Sequence, residues 1–163
     1  DAHEVVALLR DGHVTPAELI DVVEERVATT EGLVYATPTT CFTRGREAAA
    51  QLKRPEIPPP GYLYGLPVLI KDTQAVAGVR FTQGSPLYAD YVAEESDRLV
   101  LQLEERGAVV VGKTNTPEFA AGSQSFNQLF PTTVSPWDTR TTAGGSSGGA
   151  AAALASCQGW VAS

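Results

Sequence analysis

Histidine is scarce in this sequence of 163 residues. His3 and His13 are the only two, and both fall in or beside the first predicted helix, where a solvated surface role is expected rather than part of a Ser-His-Asp triad. Cysteine is equally rare: Cys41 and Cys157 stand far apart and make neither a CxxC pair nor a disulfide framework. That usage fits a reducing compartment, although the two could still be neighbours in space. No apolar run approaches the roughly 18 residues of a membrane span, and the N-terminus, DAHEVVALLRDG, lacks the basic-then-apolar order of a signal peptide. Basic side chains are in deficit, 12 against 19 acidic ones, and the net charge of -7 disfavours nonspecific attraction to nucleic acid or to an anionic membrane. The expectation is a soluble, cytoplasmic chain whose partner is a small or neutral molecule, with no nucleic acid and no membrane.

A hydrophobic fraction of 43% and a charged fraction of 19% are those of a globular domain. Val5, Val6, Leu8 and Leu9 form an amphipathic helix that stops at Gly12. In VTPAELIDVVEERV, Thr15 stands at an N-cap, Pro16 at the first helical position and Glu18 at the far corner of a capping box. Leu19, Ile20, Val23 and Val27 supply the apolar stripe behind it. A weaker third helix is expected over Phe42–Lys53, followed by the proline-rich connection PEIPPPGYLYG. Leu66–Ile70 reads as a strand buried on both faces. Ser96 is expected to cap a helix carrying Leu99, Val100 and Leu103, Gly107 to end it, and a second buried strand to begin at Ala108. Strand, helix and strand at these lengths predict an α/β layer arrangement. Asn115 to Thr142, rich in Thr, Ser, Gly, Pro and Asn, is expected to be a long functional loop with short helical pieces.

Two lysines sit at the ends of the apolar strands. Lys71 closes GLPVLIK and Lys113 follows VVVG. Desolvation among apolar neighbours pushes a lysine pKa down and makes a base of it; the plainer reading is a strand-end lysine paired with Asp72 or with water. Position alone does not separate Lys71 from Lys113. The stretch AGGSSGGAAAALAS places Ser146 and Ser147 between two glycine pairs, ahead of a predicted small-residue helix. Glycines there allow close approach of a ligand or another segment, and a helix N-terminus offers amide donors to an anion or oxyanion. A flexible turn is the alternative. A nucleotide P-loop is disfavoured, because no Lys-Ser or Lys-Thr follows the glycines.

GLPVLIKD, VVVGKTNTPEFAAGS and SPWDTRTTAGGSSGGAAAALA, in that order and spacing, resemble the amidase signature family of serine hydrolases, most strongly from Tyr64 onward. The resemblance implies an α/β fold with a mixed β-sheet surrounded by helices. Only its N-terminal part is expected in residues 1–163, with a helical segment over about 1–60 and the catalytic core beginning near 61. It implies hydrolysis of carboxylic amides by a Ser-Ser-Lys triad without metal or cofactor. Lys71 matches the catalytic lysine, Ser146 the bridging serine beside a cis peptide bond, and Ser147 a serine that supports the hydrogen-bond network. Gly144, Gly145 and Gly148 complete the supporting loop, Gly122 and Ser123 match part of the substrate-binding loop, and Lys113 matches a position without a catalytic role.

Departures from the family pattern are Ser135 before Pro136-Trp137, where asparagine is usual, and Pro131-Thr132, where Gly-Pro is frequent. The family's nucleophile, with the oxyanion-hole glycines beside it, matches a segment beyond Ser163. The chain by itself is therefore expected to be inactive and to leave sheet edges and apolar helix faces for a second copy or a complementing chain. A noncatalytic binding or assembly module, and the amidase component of a tRNA-dependent amidotransferase, are the alternative readings.

Overall fold

The computed structural model describes residues 1–163. Helix α1 (Ala2–Asp11) ends at Gly12, whose φ of 75° is the left-handed conformation that a glycine adopts without strain. Helix α2 (Pro16–Val34) starts in the predicted capping box: Glu18 N donates to Thr15 Oγ1 at 3.2 Å and Thr15 N donates to Glu18 Oε2 at 2.8 Å. Its buried face is Leu19, Ile20, Val23, Val27, Thr30 and Val34. At its C-terminus the Glu31 carboxylate accepts from the backbone of Ala36 and Thr37 and from Gln158 Nε2, which ties α2 to the far end of the chain. Burial raises the pKa of Glu31 in spite of those donors.

Strand β1 (Thr39–Thr40) leads into α3 (Phe42–Gln51), and β2 (Pro67–Lys71) follows the proline-rich connection. Helix α4 (Arg98–Glu105) crosses from β2 to β3 (Val109–Thr114), which pairs parallel to β2; β1 pairs antiparallel on the other side of β3. The mixed sheet gains a further edge from the chain terminus, where Leu69 N donates to Val161 O and Ser163 N to Leu69 O, both at 3.1 Å. β-Alternation sends Leu69, Val109 and Val111 toward Ile20, Val23 and Val27 of α2 and Ala152 and Ala153 of α5 (Gly148–Ala155). Val68, Ile70 and Val110 face the other way, toward Val100 of α4 and the chain segment of Val76 and Val79. Both faces are covered, which is why these strands read as unbroken apolar runs.

The structure corrects several sequence expectations. Ser96 does not cap α4. Ala77 N donates to Ser96 Oγ and Ala75 N to Asp97 Oδ2, each at 2.9 Å, so both side chains are spent on the turn after β2 and the helix starts at Arg98 without a side-chain cap. Leu99 is 39% exposed; Val100 carries the burial. Helix α3 stops at Gln51, where Leu52 turns to extended backbone. Strand β2 is displaced by one residue and includes Lys71, and Asn115–Thr142 contains an antiparallel hairpin, β4 (Val134–Ser135) with β5 (Asp138–Thr142), turning at Pro136-Trp137. Both cysteines are free; burial pushes the Cys41 thiol up to about 11. His3 and His13 are exposed, and no helix is long and apolar enough to cross a membrane.

Candidate active site

Alternation along β2 puts Lys71 on the face of Leu69, toward α5, and Asp72 on the face of Ile70. Lys71 is 9% exposed. Its Nζ lies 2.8 Å from Ser146 Oγ and 2.9 Å from Ser147 Oγ, and no carboxylate bonds to it. Desolvation lowers its pKa below the ordinary lysine value. The N-terminus of α5, whose N-cap residue is Ser147, presents positive partial charge to the same amine and works in the same direction. A neutral amine between two hydroxyls has one lone pair to receive a proton and two N–H groups to donate, so it can accept from one serine while bonding the other.

The glycines shape the loop that carries the serines. Gly144 has φ 76°, and the Gly145–Ser146 peptide bond is cis. What the other glycines admit is chain rather than ligand: a Cβ on Gly145 would lie 2.9 Å from the backbone carbonyl carbon of Gln124, and one on Gly148 would lie 2.5 Å from Ser125 Oγ. Gly148 N donates to that Ser125 hydroxyl at 3.0 Å. The same close approach holds at Gly149, in the second glycine pair, where a Cβ would meet Asn115 N and O at 2.4 Å. Sequence reasoning missed Ser125 and Asn115 as the residues that receive the loop. Asn115 directly follows β3, and that position is the one signal that could have marked it.

Gly122 and Ser123 are exposed and make no hydrogen bond with Lys71, Ser146 or Ser147. Gly122 lines a separate cavity of about 260 Å³ with Pro117, Glu118, Gln124 and Phe126. The largest cavity, about 680 Å³, lies between α2 and the C-terminal stretch and shares no residue with the lysine-serine cluster. Ser163 sits beside the backbone of Lys71, not its amine: Lys71 N donates to Ser163 Oγ at 3.0 Å.

Placing a lysine here costs stability in a pH-dependent way. Its folded pKa is depressed, so the unfolded chain binds more protons, and folding stability rises with pH between that depressed value and about 10.4, at about 1.4 kcal/mol per unit of depression. Lys71→Met is therefore expected to be more stable than the parent at pH 7, with the gain shrinking as pH approaches 10. Urea unfolding of both chains at the two pH values checks it; a difference independent of pH contradicts the burial of the amine.

Comparison with known proteins places these features in a group. A family model described as Amidase matches residues 18–163. The A-type chain of the glutamyl-tRNA(Gln) amidotransferase of Oleidesulfovibrio alaskensis is 36% identical over 155 residues, covering 95% of this chain and 32% of that protein. The chain thus spans about a third of the length of the curated relatives it matches. Among solved structures, 6-aminohexanoate cyclic dimer hydrolase complexed with substrate aligns at a TM-score of 0.90 with 28% identity, covering 99% of this chain and 33% of that one. A bacterial aryl acylamidase of the amidase signature enzymes aligns at 0.84 with 28% identity, over 95% and 33%.

Proposed function

This chain belongs to the amidase signature family, and from that premise we propose that it carries two members of a proton relay for amide cleavage, Lys71 and Ser146. The observation that carries the reading is the Lys71 amine, sheltered from water and bonded to two serine hydroxyls with no carboxylate in reach. In the reaction, neutral Lys71 takes the proton of Ser146, and Ser146 takes that of an attacking serine, which this reading assigns to a segment following Ser163. The attacking oxygen adds to the amide carbonyl. Collapse of the tetrahedral intermediate expels the amine, and the same relay returns the proton to the leaving nitrogen. Water repeats the sequence on the acyl-enzyme and releases the carboxylic acid. Ser147, the second hydroxyl on Lys71 Nζ, holds the amine in line. The substrate class is small carboxylic amides.

A second reading, the amidase component of a tRNA-dependent amidotransferase, is favoured by the names of relatives 35–37% identical to this chain. The deciding experiment takes the polypeptide that carries this segment and follows amine and carboxylate release from primary amides, anilides and glutamine. Turnover by the purified polypeptide alone is expected. Glutamine-restricted release that requires partner proteins and charged tRNA supports the second reading, and no release under either condition overturns both.

A further inference from the structure

Lys113 is the lysine that the relay does not use, and it is more deeply buried than Lys71, with no exposed surface. It pairs in register with Ile70, so its side chain leaves the sheet on the face of Asp72, across from Lys71. Its Nζ lies 2.9 Å from Asp72 Oδ1, and the ring of Phe81 covers the ammonium at 5.0 Å. Asp72 also accepts from the Thr82 hydroxyl and, at 3.3 Å, from Thr82 N. The other titratable groups bearing on Lys113 are Cys41 and Asp97, and the Asp97 carboxylate is engaged by Ala75 N. The partners of Lys71 Nζ are the Ser146 and Ser147 hydroxyls, and no carboxylate bonds to it.

A buried ion pair adds little net stability over an apolar pair of the same volume, because desolvation consumes most of the attraction. Its effect on a neighbour is large. An uncompensated carboxylate on the residue next to Lys71 would favour the ammonium form and remove the base. We infer that Lys113 is a positioning residue for the relay: it pins Asp72 on the opposite face of the sheet and cancels its charge, leaving Lys71 with hydroxyl partners alone. The inference rests on the reading of Lys71 as the base.

In protein labelled with [ε-13C]lysine, the signals of Lys71 and Lys113 are assigned by their loss in the Lys71→Met and Lys113→Met variants and titrated individually. In Lys113→Met the midpoint of Lys71 is expected to rise by about one pH unit, the size of a unit charge acting across a strand at intermediate dielectric. The double variant Lys113→Met/Asp72→Asn is expected to bring it back to the parent value. An unmoved Lys71 midpoint in a folded Lys113→Met chain overturns the inference, as does an equal rise in the single and double variants, which would report lost packing rather than charge. Should Lys113→Met not fold, Asp72→Asn decides: the Lys113 midpoint is expected to fall while that of Lys71 does not rise, and a rise in Lys71 overturns the inference. A parent Lys71 that titrates at the value of an unperturbed lysine, about 10.4, removes the base assignment itself, a result distinct from failure of the Lys113 role.

Discussion

Lys71→Met is expected to lower kcat for amide hydrolysis about a thousandfold in the enzyme that carries this segment, with KM little changed. A positioned base contributes roughly 10²- to 10⁴-fold, and a serine attacking an amide depends on it in both directions of proton transfer. The amine acts on the Ser146 hydroxyl rather than on the substrate, so ground-state binding has little to lose. Ser146→Ala is expected to match it, since the lysine reaches the attacking oxygen only through that hydroxyl 2.8 Å away. The double variant is expected to be no slower than the worse single one, because members of one relay fail as a unit. Initial rates on a single amide, with folding confirmed by circular dichroism, settle it. Losses under tenfold, or losses that multiply in the double variant, would put the base elsewhere.

Gly149→Val is expected to destabilise the chain by about 3 kcal/mol, the upper range for forcing atoms into a packed contact. The added Cβ would meet Asn115 backbone N and O at 2.4 Å, and Asn115 has no room to retreat. Asn115 N donates to Ala36 O at 2.9 Å, while its side chain bonds Pro131 O, Thr133 Oγ1, Thr116 N and Asn127 Nδ2. The strain has to be taken up by α5, whose N-terminus carries Ser146 and Ser147, so stability and relay geometry fall together. Gly32→Ala is the control: nothing lies within 4 Å of its Cβ, and a gain of about 0.5 kcal/mol from reduced chain entropy is expected. Denaturant midpoints of the two variants test the pair, and a Gly149→Val midpoint close to that of the parent would mean that α5 and Asn115 can separate freely.

The parts of the molecule legible in the sequence are those in which a local pattern has one physical solution. Thr15, Pro16 and Glu18 announce the start of α2, because orphan amides at a helix end accept few partners. The apolar runs around Val68 and Val110 announce strands covered on both faces. The start of α4 was not legible, since Ser96 and Asp97 both suit a cap and both are drawn to amides at residues 75 and 77, which no local rule reveals. The β4–β5 hairpin escaped for a related reason: β4 is only two half-buried residues long, and β5 is polar and mostly exposed, so neither leaves an alternating apolar stripe.

For the site, the sequence by itself determined the inventory: two strand-end lysines, one acidic residue behind the first of them, and a serine pair framed by glycines. Strand position left the two lysines equivalent and the family resemblance singled out Lys71; only the tertiary structure brought that amine onto the serine hydroxyls. The pairing of Ile70 with Lys113 and of Lys71 with Thr114 fixes the face on which each side chain leaves the sheet. That register, with its irregularity between Val68 and Leu69, is set by packing against α2, α4 and α5 rather than by either strand alone. One step of slip along β2 would exchange the faces and bring the Asp72 carboxylate where the Lys71 amine now meets the hydroxyls.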